Sequence, residues 1–226
     1  MIKFPVILLD VDDTLFDFSA AEKSAICDTF EAFGIANNPQ NISLYSTINK
    51  GFWKKFDLGQ ITKERLLVER FEELFLRLGI SGNAAKINNA YLENLSKYNY
   101  TFPGADEFCR KLSQNHNLYV VTNGTLHAQV RRLKTAPFTK YISKVFISEE
   151  LGFQKPQKEY FDYVFEKIDL RDKNSAIILG DSITSDIMGG KAAGIKTCLF
   201  DPKNEKDHSL CDYSIGKYDE FFAIVD

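Results

Sequence analysis

Apolar residues gather in five short runs, at 4–10, 118–122, 144–147, 176–181 and 196–200, each rich in Val, Ile, Leu or Phe and each ending in polar or turn residues. Runs of this kind predict buried strands of a parallel sheet. Helical stretches of about 10 to 15 residues separate the later runs, so the C-terminal half has the strand–helix alternation of a doubly wound α/β sheet. The first strand lacks such a short crossover, and residues 17 to 100 hold no convincing strand. Ser19 and Glu22 stand in capping-box spacing and predict a helix that runs towards Gly34. Thr62 opens another, whose apolar positions Leu66, Leu67, Phe71, Leu74, Phe75 and Leu78 keep helical spacing as far as Gly79. Weaker patterns predict helices over 42–56 and 84–98. A helical block of roughly 80 residues is too long for an ordinary loop. The expected organisation is therefore an α/β core, residues 1–16 and 101–226, carrying an inserted all-helical unit, residues 17–100.

Composition narrows the class of function. Apolar residues make up 44% and charged residues 26%, which is ordinary for a globular protein with a sizeable core. A net charge of −3 and a pI near 5.7 leave no basic field to attract nucleic acid or an anionic membrane, so neither is an expected partner. The apolar run at 4–9 meets Asp10, Asp12 and Asp13 long before the roughly 18 residues a membrane span needs, and no small-residue cleavage site follows it. Cys27, Cys109, Cys198 and Cys211 are scattered without a Cys-x-x-Cys pair, which fits reduced thiols and a cytoplasmic setting.

The chemistry-bearing residues sit where the strands end. The first strand runs into Asp10-Val11-Asp12-Asp13-Thr14, and the carboxyl edge of an open α/β sheet is where ligands bind. The second ends in Thr122-Asn123-Gly124, a hydroxyl beside approachable backbone N–H groups that suit a phosphate. The fourth ends in Gly180-Asp181 with Asp186 five residues on, and Lys155-Pro156 lies between. Each segment has a plainer reading as a helix cap, a turn or a solvated lysine. Four such segments at successive strand ends would be a large coincidence. Together they supply a carboxylate nucleophile, a second carboxylate as acid and base, an acidic metal site, a hydroxyl and a cation. Those are the parts of phosphoryl transfer through a covalent intermediate. A phosphate dianion repels a bare carboxylate, so a hard divalent cation, Mg2+, is the expected cofactor.

The ordered set Asp10-x-Asp12-x-Thr14, Thr122, Lys155 and Gly180-Asp181-x-x-x-x-Asp186 resembles the haloacid dehalogenase-like (HAD) hydrolase superfamily along the whole chain, which implies a Rossmann-like core. The helical insertion after the first motif resembles the C1 cap of its subfamily I phosphatases. The segments Thr122-Asn123-Gly124 with Gln129 and Arg132-Leu133, the stretch from Ser148 to Pro156, and Phe52-Trp53 with Asp57 to Thr62 are similar to the pyrimidine 5′-nucleotidases that clear non-standard nucleoside monophosphates in bacteria.

The resemblance implies that Asp10 is the nucleophile and that Asp12 acts as general acid and base. It implies that Asp10, Asp181 and the Asp12 main-chain carbonyl hold Mg2+, with Asp186 in support. Thr122, Lys155 and the N–H groups of Asn123 and Gly124 would hold the phosphoryl oxygens, while Thr14 orients the first loop. Phe52 and Trp53 are candidates for contact with the leaving group. The expected substrate is a small phosphate monoester, and the nucleotidase resemblance implies a pyrimidine nucleoside 5′-monophosphate. The alternatives are a sugar-phosphate or phosphoglycolate phosphatase, a phosphomutase of the same fold, or a HAD-like binding protein without turnover. The sequence fixes no oligomeric state.

Overall fold

The computed structural model describes residues 2–226. Six strands, β1 (Val6–Leu9), β2 (Asn117–Thr122), β3 (Lys144–Ile147), β4 (Ala176–Gly180), β5 (Lys196–Phe200) and β6 (Tyr213–Ile215), form one sheet in the order β3-β2-β1-β4-β5-β6, with every neighbouring pair parallel. The expected doubly wound α/β architecture is present. The chain winds outward from β1 to β3 and then returns to build β4 to β6 on the other side. The strand order thus reverses beside β1, which opens a crevice at the carboxyl ends of β1 and β4.

The period of two along each strand sends alternate side chains to opposite faces. Ile7, Leu9, Leu118, Val120, Ile177 and Leu179 join one core. It is covered by Phe108, Cys109 and Leu112 of α5 (Ala105–Leu112) and by Phe221 and Val225 of α10 (Tyr218–Val225). Leu8, Val121 and Ile178 join the other, beside Leu151 of α7 (Ser148–Leu151) and under Tyr160, Phe161, Val164 and Phe165 of α8 (Lys158–Lys167) and Ala193 of α9 (Met188–Ala193). Burial on both faces explains why these strands read as continuous apolar runs. The sixth strand has only three residues, and Tyr213-Ser214-Ile215 lacks the apolar run that marks the others. It goes unpredicted for that reason.

Between β1 and β2 lie α1 (Phe18–Ala32), α2 (Pro39–Asp57), α3 (Lys63–Leu78) and α4 (Ala84–Leu95). They share a core of their own, with Ile26, Phe30, Tyr45, Phe71, Leu74, Ile87 and Tyr91 fully buried, and Ala128 of α6 (Leu126–Thr135) joins it from the sheet side. As expected, Thr62 caps α3, accepting from the Arg65 N–H, and Gly79 closes it in the left-handed conformation. The start of α1 differs from the expected capping box. Asp17 is the cap, accepting from the Ala20 N–H at 2.9 Å, while the Ser19 N–H donates to Asp13 Oδ1. The two crossings to the helical block run side by side. The Asp17 N–H donates to the Tyr100 carbonyl, and the Phe102 N–H to that of Leu15.

Candidate active site

At the end of β1 the Asp10 N–H donates to the Leu179 carbonyl at 2.9 Å, which continues the β1–β4 pairing and fixes the side chain in the crevice. Lys155 Nζ donates to Asp10 Oδ1 at 2.6 Å, to Asp186 Oδ1 at 2.6 Å and to the Val121 carbonyl at 2.9 Å. Lys155 is 1% exposed and Asp186 wholly buried, so this ammonium is caged by its acceptors. Burial works against its charge, yet the Asp10 and Asp186 carboxylates raise its pKa above the ordinary lysine value.

Carboxylate oxygens of Asp10, Asp181 and Asp186 all lie within 4.8 Å of one another. Burial first, then repulsion from Asp186 and Asp181, pushes the Asp10 carboxyl well above the usual range against the pull of Lys155. Asp181 is raised by burial and by Asp186, although Lys206 Nζ donates to its carboxylate at 2.8 Å and to its carbonyl at 2.6 Å. Three crowded carboxyl groups of all-oxygen chemistry, Asp10 and Asp186 buried and Asp181 half-buried, suit a hard divalent cation, whose charge would let them ionise together. Gly180 is required beside them. A Cβ there would lie 2.2 Å from Asp186 Oδ2, in a π-helical turn (Ile183–Ile187) that brings Asp186 back against the strand end.

The end of β2 forms the opposite wall. Thr122 Oγ1 accepts from the Gly124 N–H at 3.1 Å and from Gln129 Nε2 at 3.0 Å. Asn123 Oδ1 accepts from the Lys155 N–H, and its Nδ2 donates to the Lys155 carbonyl, so the side chain ties the β2 and Lys155 loops together. Asp12 faces α6: Oδ1 accepts from Arg132 at 2.5 Å and Oδ2 from Gln129 Nε2 at 2.6 Å. Arg132 is 1% exposed and its guanidinium lies 4.2 Å from the Phe16 ring centroid. Thr14 is buried with its hydroxyl unpartnered, while its carbonyl accepts from the Tyr218 hydroxyl at 2.6 Å.

A cavity of about 600 Å3 joins these residues to the helical block. Asp10, Asp12, Thr122, Lys155 and Asp181 line it from the sheet, and Asn49, Trp53, Asp57, Arg70 and Tyr91 line it from the helices. A family sequence model described as "Haloacid dehalogenase-like hydrolase" matches residues 7–200 of this chain. The chain belongs to that hydrolase family.

This hydrolase is 37% identical to the HAD-hydrolase YfnB of Bacillus subtilis over 100% of its own length and 97% of the relative's. The magnesium-bound crystal structure of YfnB, which is described as revealing interdomain movement, has a TM-score of 0.93 and 36% identity, with 99% of each chain covered. The hydrolase is 31% identical to the pyrimidine 5′-nucleotidase PynA of Streptococcus pneumoniae, covering 99% of this chain and 95% of PynA. It is also 31% identical to the pyrimidine 5′-nucleotidase YjjG of Escherichia coli, covering 87% and 85%. No helix among the described residues is long and apolar enough to cross a membrane.

The geometry gathers Asp10, Asp12, Thr122, Asn123, Gly124, Lys155 and Asp181 around one cavity. Asp186 supports them through Lys155. Trp53 lines the cavity but Phe52 does not: Phe52 packs with Phe56, Ile61 and Leu66 and lies under the Lys55 ammonium. Adjacent helical positions point about 100° apart, and here the turn carries Phe52 to the side of the helix away from the cavity. Sequence reasoning missed Asp57 and Lys63, which join the helical block to the sheet. Asp57 accepts from Thr184 Oγ1 at 2.7 Å, and burial pushes its carboxyl up to about 6. Lys63 Nζ donates to the Asn123 carbonyl at 2.6 Å and to Ser148 Oγ at 3.1 Å. Burial lowers its pKa, partly offset by Glu149 at 3.3 Å.

Proposed function

We propose that this hydrolase is a Mg2+-dependent phosphomonoesterase that works through an aspartyl-phosphate on Asp10 and takes a pyrimidine nucleoside 5′-monophosphate. The observation that carries the proposal is the placement of Asp10. It stands at the sheet's topological switch point, between a caged lysine and an acidic cluster, and opens on a cavity large enough for a metabolite. The likeness to two pyrimidine 5′-nucleotidases supports the choice of substrate.

In this reading Asp10, Asp181 and the Asp12 main-chain carbonyl hold Mg2+. When bound, the ion offsets the negative charge of the carboxylates and the phosphate. A free Asp10 carboxylate oxygen attacks phosphorus, and the bond to the ester oxygen breaks. Asp12 gives its proton to the departing alkoxide, leaving an acyl phosphate on Asp10. Asp12, now ionised, removes a proton from water as the water oxygen attacks phosphorus, which releases inorganic phosphate and regenerates Asp10. Lys155 and the Thr122 hydroxyl hold the equatorial oxygens, where charge gathers in the transition state. Gln129 and Arg132 hold the Asp12 carboxylate in position. Residues 17–100 act as a cap that closes over the ester and selects its leaving group, with Trp53 on the cavity wall. The reduced thiols fit activity in the cytoplasm.

Phosphate release should be measured with Mg2+ over nucleoside 5′-monophosphates, ribose 5-phosphate, phosphoglycolate and an aryl phosphate. The proposal expects the highest kcat/KM for a pyrimidine nucleotide. Release from phosphoglycolate or a sugar phosphate alone would move the enzyme to another phosphatase class. No phosphate release from any ester would overturn the reading.

A further inference from the structure

The helical wall of the cavity carries a buried polar cluster for which the phosphoryl chemistry has no use. Arg70, on α3, is 1% exposed. Its two terminal nitrogens donate to Asn49 Oδ1 and to Asn88 Oδ1, each at 2.7 Å. Asn49 Nδ2 donates in turn to Glu22 Oε1 at 2.5 Å. The guanidinium lies beside the Phe71 and Tyr91 rings, 5.2 and 5.0 Å from their centroids. Glu22 offsets the charge through Asn49, but the hydrogen bonding is incomplete. Arg70 Nε is buried without a partner, the Tyr91 hydroxyl has only the loose company of the Tyr45 hydroxyl, and Arg70, Tyr91 and Asn49 all line the cavity that holds Asp10.

A cluster that served only to hold four helices together would be expected to satisfy its donors, because an unmade buried hydrogen bond destabilises the fold. Here one donor is left open and a second only loosely engaged beside a cavity. The Arg70 Nε–H can only donate, and burial keeps the Tyr91 phenol protonated, well above its ordinary range. What fits them is a ligand atom that accepts. The phosphoryl group is engaged at the sheet, so that atom belongs to the far part of the ester.

We propose that Arg70, Tyr91 and Asn49 form the subsite that reads the base of the nucleotide, with Arg70 Nε–H and the Tyr91 hydroxyl donating to carbonyl oxygens on the pyrimidine edge. The proposal rests on the nucleotidase reading and names the residues that would enforce it. Trp53, on the same cavity wall, offers a planar face to the ring. Glu22 and Asn88 are positioning residues, which hold Asn49 and Arg70 without touching substrate.

The test compares kcat/KM for uridine 5′-monophosphate with that for ribose 5-phosphate, which has the phosphate and sugar but no base. Both are measured with Mg2+ in wild type, Tyr91→Phe and Arg70→Lys, together with thermal stability. Tyr91→Phe removes a hydroxyl whose one polar neighbour in the free protein is the equally buried Tyr45 hydroxyl, so its melting temperature should fall by no more than a loose contact between two phenols accounts for. The ratio of the two kcat/KM values should drop about tenfold, the usual worth of one hydrogen bond to substrate. Arg70→Lys removes the Nε–H while keeping the charge and should lower the ratio further. If the wild type prefers uridine 5′-monophosphate but the ratio is unchanged in Tyr91→Phe, the subsite assignment is overturned and the nucleotidase reading stands. A wild type with no preference for the nucleotide over ribose 5-phosphate overturns both.

Discussion

Mg2+ should stabilise this protein, and Asp181→Asn should abolish most of that stabilisation. The Asp10, Asp181 and Asp186 oxygens lie within 4.8 Å of one another. At that separation two ionised carboxylates repel by about 3.5 kcal/mol for an effective dielectric constant of about 20. Lys155 and Lys206 offset part of this, while burial above all, with the neighbouring carboxylates adding to it, raises the pKa of Asp10 and of Asp181. A cation held at about one hundred times its dissociation constant adds about 2.7 kcal/mol to folding. In a chain of 226 residues that corresponds to a rise of about 5 to 11 °C in melting temperature. The assay is a thermal melt in chelator and again in excess Mg2+, for wild type and Asp181→Asn. In chelator the variant should be at least as stable as wild type, because one crowded charge has gone and the Lys206 left behind is partly exposed. In Mg2+ only the wild type should gain the full shift. An equal shift in both proteins, or none in the wild type, would refute the assignment of these carboxylates to the metal.

Asp12→Asn should slow formation of the phosphoenzyme far more for a nucleoside alkoxide than for an aryl phosphate, whose phenolate leaves without a proton; equal losses in single-turnover measurements would make Asp12 structural. Asp57 should make the metal-free protein less stable as pH rises. Burial holds its folded-state pKa up at about 6, so its contribution is fully present below its unfolded value near 4 and is lost as pH rises through about 6. Asp57→Asn should therefore gain on wild type between about pH 4 and pH 8 in chelator, by up to about 2 kcal/mol after solvent screening; parallel pH profiles would contradict this. Gly180→Ala should lower kcat severely by displacing the Asp186 carboxylate, since its Cβ would lie 2.2 Å from Oδ2, and a near wild-type rate would show that Asp186 can move without loss.

The sheet side of the site was readable in sequence because the ends of β1, β2 and β4 carry their chemistry within a few residues, as in Leu9-Asp10, Val121-Thr122 and Gly180-Asp181. The helical side was not readable in the same way. Arg70 looks like any charged residue of an amphipathic helix, and only the packing of α2, α3 and α4 turns it inward among Asn49, Asn88 and Tyr91. Asp57 and Lys63 flank the α2–α3 turn, where sequence predicts solvated ends, yet both reach across to the loops of β4 and β2. The Asp17 cap displaced the Ser19 capping box because Asp13, in the first motif, takes the Ser19 N–H. Local competition between two capping residues was decided by the active-site loop beside them.

The central claim is that Asp10 carries the phosphoryl group. It is tested most directly by mixing enzyme with substrate and Mg2+, quenching in acid during turnover, digesting, and mapping any added phosphoryl mass by tandem mass spectrometry. The account predicts one phosphoryl group on the peptide that contains Asp10, localised to Asp10 and absent from Asp10→Asn. A phosphoryl group on any other side chain, or an Asp10→Asn enzyme that turns over at the wild-type rate, would contradict it.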